Sequence, residues 1–195
     1  MQTTYIETQQ ISFQDFKNQI LEDYKLGRIS REMSYLGRRE VLTGKAKFGI
    51  FGDWKELPQL AMAKVFKNGD FRSGYYRDQT FALAADALTV ESFFAQLYAD
   101  TSVEREPASA GRQMNGHFAT RSLNEDGSWK DLTAQKNISS DISPTAGQMP
   151  RLLGLAQASK IYKTVKFDGS EKFSREGNEI AFGTIGDAST AEGHF

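Results

Sequence analysis

The stretch that most constrains the fold is Glu179-Ile180-Ala181-Phe182-Gly183-Thr184-Ile185-Gly186, which runs straight into Asp187-Ala188-Ser189-Thr190-Ala191-Glu192-Gly193-His194-Phe195. The first part is short, apolar and bounded by polar residues, which predicts a buried β-strand. The second is small and polar, as a tight turn opening a helix requires. A strand ending in such a turn offers free backbone N–H groups and a positive helix end at its tip, where α/β proteins hold phosphates. Asp187 is an anion and repels a phosphate, yet it suits a divalent metal that bridges to one. The sequence therefore predicts a metal–diphosphate site at Gly186-Asp187, with the strand 179–186 central in a parallel sheet.

Composition narrows the partners. Lys and Arg number 24 against 25 Asp and Glu, for a net charge of −1, so there is no electrostatic case for nucleic acid or an anionic membrane. The absence of cysteine excludes a disulfide framework, a thiolate nucleophile and a Cys-ligated zinc site. No apolar run approaches the roughly 18 residues of a membrane span, and the polar start Met1-Gln2-Thr3-Thr4 is no signal peptide. A cytoplasmic protein is expected.

Along the chain, Ser12 with Asp15 makes a capping box, and Phe13, Phe16, Ile20 and Tyr24 follow at helical spacing. A helix over 12–36 is predicted, broken near Gly27. A second runs from Glu56 to Phe66, with Pro58 in its first turn and Leu57, Leu60, Ala61, Lys64 and Val65 on one face. Phe71 to Tyr76 reads as a short strand, and Thr89 caps a helix through Tyr98 whose Phe93, Phe94 and Leu97 belong to the core. Residues 99–147 are turn-rich, and so long an irregular stretch is usually functional or mis-assigned. Met149 to Tyr162 forms a helix whose Gly154, Ala156 and Ala158 suit close packing, and 166–178 is a polar connector. The order points to an α/β fold with a parallel sheet flanked by helices.

Several chemistries are missing. There is no Walker A loop, no Rossmann glycine fingerprint, no Gly-x-Ser-x-Gly elbow and no His-Glu-x-x-His helix. His117 and His194 are the only histidines, and an isolated histidine is more often structural than catalytic.

Three further segments change the reading: Gly74-Tyr75-Tyr76-Arg77-Asp78-Gln79; Gly111-Arg112-Gln113-Met114 with His117; and Ser143-Pro144-Thr145-Ala146-Gly147-Gln148-Met149-Pro150. Together with the Gly186-Asp187 turn they resemble the N-terminal part of the alpha-type half of thiamine-diphosphate-dependent 2-oxo acid dehydrogenases. These are the decarboxylating first components of the pyruvate and branched-chain complexes. The resemblance covers about residues 35–195, and Glu56-Leu57-Pro58-Gln59 also fits. It is strongest to the form in which alpha-like and beta-like halves are fused in one long bacterial chain. Each motif is weak alone; in this order they are specific.

The resemblance implies roles. Tyr76 and Arg77 match a pair that contacts the cofactor diphosphate, for which a guanidinium is a natural bidentate partner. Ser143 and Thr145 match the loop whose backbone meets the aminopyrimidine ring. Gly186-Asp187 opens the thiamine diphosphate motif, in which the acid binds magnesium while Ala188 and Ser189 offer N–H groups to the diphosphate. Ala188 stands for a second glycine, a mild change if its φ is negative. Where some members bind a monovalent cation through hydroxyls of the Ser143 loop, Ile142 and Gly147 supply none. Trp54 occupies a position where relatives of this kind tend to have glycine.

The resemblance further implies two regions, an N-terminal helical segment over 1–50 and the start of a thiamine-diphosphate-binding domain over 51–195. An asparagine pair completing the magnesium shell, the glutamate that activates the aminopyrimidine and the catalytic histidines are expected beyond Phe195. The 195-residue chain is thus expected to be a truncated piece of a longer enzyme, inactive alone. The implied reaction is decarboxylation of a branched-chain 2-oxo acid, with pyruvate the runner-up, and acyl transfer to a partner lipoyl acyltransferase. The implied partner is a beta-type half or subunit. Two alternatives are another thiamine enzyme such as a transketolase relative, against which the Tyr76-Arg77 and Gly111-Arg112-Gln113 segments count, and a non-enzymatic α/β interaction module using 100–147.

Taken without the resemblance, each residue has a plainer reading. Tyr76-Arg77 reads as a surface turn, Arg112 as a surface ion-pair partner and Asp187 as a helix cap.

Overall fold

Ser12 starts the longest element. Its hydroxyl oxygen accepts the Asp15 N–H at 3.1 Å, and α1 (Phe13–Leu42) follows in the computed structural model, which describes residues 11–195. The Met1-Gln2-Thr3-Thr4 start lies outside the described residues. The break expected at Gly27 does not occur. A helical glycine costs only about 1 kcal/mol, too little to interrupt 30 residues. A β-carbon there would stand 3.7 Å from Glu56 Cβ and Leu60 Cδ1, so the glycine marks where α2 crosses. The helix also runs past the predicted end at 36, stopping where Gly44 takes the left-handed conformation at φ 77°.

The remaining helices are α2 (Glu56–Val65), α3 (Gln79–Ala84), α4 (Val90–Leu97) and α5 (Gln148–Tyr162). In α2 the buried face is Gln59, Leu60 and Ala63; Leu57 and Val65, read on one face with Leu60, are exposed. Thr89 and Ser92 close a full capping box on α4. The sequence reading missed α3, whose core is apolar but too short to show a period. It lies under α1, with Ser30 and Thr80 hydroxyls 2.7 Å apart and Gln79 Nε2 donating to the Ser30 carbonyl at 2.7 Å. The small residues of α5 are not packed: Gly154 has nothing within 4 Å of its missing side chain, and Leu153 is 73% exposed.

Three two-residue strands form the sheet: β1 (Phe71–Arg72), β2 (Asn137–Ile138) and β3 (Ala181–Phe182). The order is β2-β1-β3 and both pairings are parallel, Phe71 standing opposite Asn137 and Ala181. The predicted strand 179–186 is thus parallel but shorter than expected, and among the described residues it is an edge rather than the centre. The central strand is β1, and β2 emerges from the stretch 99–147 that reads as irregular. Below the sheet, Phe66 packs on Phe81 at 5.1 Å and edge-on to Phe182 at 5.4 Å, with Ala82, Phe118 and Ile138 completing the core. Met33, Leu83 and Phe93 form a second cluster beneath α1.

Trp54 is a strained residue held by its neighbours. Its φ is 71°, the left-handed region that favours glycine. The indole is held by Arg31, whose guanidinium lies 4.2 Å over the ring and grips both Glu56 oxygens at 2.6 and 2.7 Å. The Trp54 N–H completes the knot by donating to Glu56 Oε1 at 3.2 Å. Trp54→Ala loses the stack and keeps the strain, whereas Trp54→Gly loses the stack and relieves it. Trp54→Gly should therefore be the more stable by about 1 kcal/mol, read from urea midpoints.

Candidate functional site

Three parallel strands ending side by side place three loops at one edge of the sheet, the position at which open α/β folds bind ligands. After β1 comes Ser73–Asp78, after β2 Ser139–Gly147, and after β3 Gly183–Asp187. These loops carry every site residue read from the sequence except Ala188 and Ser189, which follow directly.

Two layers of hydrogen bonds tie them. In the first, the Ser73 hydroxyl donates to the Gln148 carbonyl at 3.0 Å, and Gln148 Nε2 donates to the Thr184 carbonyl at 2.9 Å. Gln148 thus bridges β1 to β3 from the start of α5. The second layer is ionic and lies beneath. Arg72 donates through Nε and Nη2 to Asp78 Oδ2 at 3.1 and 2.8 Å, through Nη1 to both Asp141 oxygens at 3.0 and 3.2 Å, and through Nη2 to the Tyr75 carbonyl at 2.8 Å. Asp78 Oδ2 also accepts the Tyr75 N–H at 3.1 Å and the Thr184 hydroxyl at 2.5 Å. Arg72, Asp78 and Asp141 are all buried. Burial pushes the Asp141 carboxyl above its ordinary range, with Arg72 pulling the other way. The two carboxylates outweigh burial at Arg72, which stays a cation.

A β-carbon on Gly74 would fall 2.0 Å from Arg72 Nε, so the guanidinium occupies the space a side chain would take. Gly74→Ala should cost about 1–3 kcal/mol by displacing that guanidinium, measured by chemical denaturation. A loss below about 0.5 kcal/mol, ordinary for an uncrowded surface change, would contradict it.

The predicted residues divide as follows. The Tyr75 and Tyr76 rings lie 4.2 Å apart, and the Tyr75 hydroxyl donates to that of Tyr76 at 3.1 Å. Burial and the Tyr76 hydroxyl push Tyr75 up to about 12, so it remains a donor at working pH. Arg77 rests its guanidinium over both rings, 5.4 Å from Tyr76 and 5.9 Å from Tyr75. Among the described residues it forms no ion pair. This tyrosine pair touches the third loop: a β-carbon on Gly186 would stand 3.0 Å from the Tyr75 hydroxyl and 3.2 Å from Ser189 Oγ.

Ser143 joins through His117. Its hydroxyl lies 3.1 Å from His117 Nε2, while Nδ1 faces the Met114 carbonyl at 3.0 Å. In the neutral ring Nδ1 therefore carries the proton and Nε2 accepts from Ser143. Next to His117, Gly116 has φ 82° and the Tyr76 carbonyl 2.8 Å from where its β-carbon would be. Thr145 is exposed on the same loop, and Ala146 is held left-handed at φ 63°.

At the third loop the chain forms a short 3₁₀ helix, Asp187–Ala191, instead of the α-helix expected. Gly186 is its N-cap and no side chain caps it, so the plain reading of Asp187 as a helix cap does not apply. Asp187 is exposed, and Ala188 is not among the residues with positive φ. Arg112 is exposed and turns back on its own loop, its Nε donating to the Ser109 carbonyl at 2.8 Å.

Comparison with known proteins decides the family. The model for "Dehydrogenase E1 component" matches residues 24–195. The chain belongs to the dehydrogenase E1 component family. The resemblance read from the four motifs is thereby borne out, and the family is thiamine diphosphate-dependent. The chain is also similar to the 2-oxoisovalerate dehydrogenase subunit alpha of Bacillus subtilis (strain 168), with 27% identity over 169 residues. That match takes in 86% of this chain and 41% of the relative, so the chain spans well under half of that protein's length.

Sequence reasoning missed several residues of this family member's site. Tyr75, Asp78 and Gln148 stand inside the recognised segments, where only their neighbours drew a role. Arg72, Asp141 and Thr184 gave no signal: a charged residue in a short strand reads as solvent-facing, and a lone polar residue in a loop is ordinary. His117 reads as structural, and it is the link to Ser143.

Proposed function

We propose that this chain contributes the diphosphate-binding part of the site in a decarboxylating 2-oxo acid dehydrogenase first component. The observation that carries the reading is the meeting of three loops, with Arg77 free of any carboxylate among the described residues and Asp187 exposed beside them. Their donor set suits the cofactor. Arg77 and the Tyr76 hydroxyl would meet diphosphate oxygens, and the N–H groups of Ala188 and Ser189 would face the same anion. Ser143 and Thr145 would hold the aminopyrimidine through their backbone.

Magnesium fits on the protein side. Among the described residues no group of three or more His, Asp and Glu side chains could hold a metal ion. Magnesium bound with phosphates needs only one or two protein carboxylates, and Asp187 provides one. When bound, thiamine diphosphate supplies the electron sink for loss of carbon dioxide from a 2-oxo acid. The chain's own residues bind and orient it, which is a large part of catalysis when the reacting ring must be held in one geometry.

Branched-chain 2-oxo acids are the first choice of substrate, supported by the name of the B. subtilis relative, with pyruvate second. The acyl group then passes to a lipoyl acyltransferase, and a beta-type half supplies the remainder of the site. Steady-state decarboxylation by the enzyme carrying this chain tests the substrate. A larger kcat/KM for 3-methyl-2-oxobutanoate than for pyruvate is expected; the reverse order selects the second choice.

A further inference from the structure

The recognised contacts lie at the surface of the site, whereas the loops that present them are joined underneath by groups with no role so far. The three loops share one buried anchor. Arg72, the last residue of β1, grips Asp78 at the end of the first loop and Asp141 at the base of the second. Asp78 takes the Thr184 hydroxyl from the third loop at 2.5 Å, two residues before Gly186-Asp187. Asp141 Oδ2 also accepts the Phe118 N–H at 3.1 Å, which fixes the segment carrying His117, the partner of Ser143.

We propose that the Arg72–Asp78–Asp141 cluster, with Thr184, is a positioning unit that sets the spacing of the three cofactor loops. None of these side chains is among those assigned to the cofactor. They act through Tyr75-Tyr76-Arg77, Ser143 and Asp187. The inference rests on the site reading given above.

Several features argue that this is more than fold stabilisation. A guanidinium is planar and presents its donors in a fixed fork, so it fixes direction as well as distance. Here the fork serves two loops directly, Nη1 the second and Nε with Nη2 the first, and it reaches the third through Asp78. A buried cluster with one cation and two carboxylates is a weak source of stability, because desolvation offsets most of the attraction. What such a group supplies in return is a single allowed arrangement. The short strands reinforce this, since two paired residues each give the sheet little hold on loops beyond their ends.

The test uses the assembled enzyme, with thiamine diphosphate binding measured by calorimetry at fixed magnesium, alongside thermal melting. Thr184→Val removes the hydroxyl and keeps the volume, so it cuts only the tie to the third loop. Its Kd for thiamine diphosphate should rise roughly tenfold, as expected when a hydrogen bond to a charged group is lost. Thr184→Ser should return it to within about twofold of the parent, since the hydroxyl is restored. Arg72→Lys keeps the charge but loses the fork, and should weaken binding by more than Thr184→Val does.

A lowered melting temperature for Thr184→Val with an unchanged Kd, while Asp187→Ala fails to bind, would overturn the positioning role and leave the site reading standing. If Asp187→Ala binds thiamine diphosphate as the parent does, the site reading falls and this inference with it. Should Arg72→Lys not fold, the Thr184 pair decides alone.

Discussion

Asp187→Ala in the enzyme that carries this chain should nearly abolish turnover at any practical magnesium concentration. Asp187 is exposed at the end of the loop after β3, opens a 3₁₀ helix that no side chain caps, and is the acid that would bridge metal to diphosphate. Removing a metal's protein ligand costs more than removing one hydrogen bond, since nothing nearby replaces it. Arg77→Ala should behave differently. Among the described residues its guanidinium makes no ion pair, and it rests on two tyrosine rings, so its loss removes charge-assisted bonds to the diphosphate worth about 1.5–3 kcal/mol each. Cofactor affinity should fall by roughly one to two decades, and excess thiamine diphosphate should recover much of the activity. Steady-state titrations with cofactor and magnesium separate the two patterns. If Asp187→Ala keeps the parent's magnesium dependence, Asp187 holds no metal.

The second large effect concerns stability. Arg72→Met leaves Asp78 and Asp141 buried without their cation, and breaking such a pair costs about 3–5 kcal/mol at neutral pH. The deficit should depend on pH. Burial already pushes Asp141 above its ordinary value of 3.8, and losing Arg72 raises it further. A carboxyl with a raised folded-state pKa binds its proton more tightly when folded. The penalty is therefore complete above that raised pKa and fades as pH falls towards 3.8. Urea denaturation of variant and parent, compared at each pH, should show the difference shrinking in acid. A difference constant with pH would mean that the carboxylates do not carry the cost.

Much of this was legible in the residues. Ser12 and Thr89 announced their helices because a cap is local chemistry, and helical periods gave α1, α2, α4 and α5. The parallel sheet and the ligand edge followed from the apolar run before Gly186-Asp187. Strand order did not, because the centre of a sheet is set by tertiary pairing: β1 carries an arginine inside the core, against every pattern of a buried strand. The same burial hid the anchor. Arg72 looks like a surface residue until Asp78 and Asp141 are seen on either side of it. In α5 the error ran the other way, since Gly154, Ala156 and Ala158 promised close packing that the described residues do not provide. At Gly27 propensity was overruled by packing against α2.

The most direct measurement is a crystal structure of the enzyme carrying this chain with thiamine diphosphate, and with manganese in place of magnesium. Manganese takes the same oxygen ligands and can be located by its anomalous signal. The expected result is a manganese peak on the Asp187 carboxylate, with the diphosphate between that metal and the Tyr76-Arg77 loop. A peak elsewhere, with Asp187 free and Arg77 turned away from the phosphates, would contradict the account.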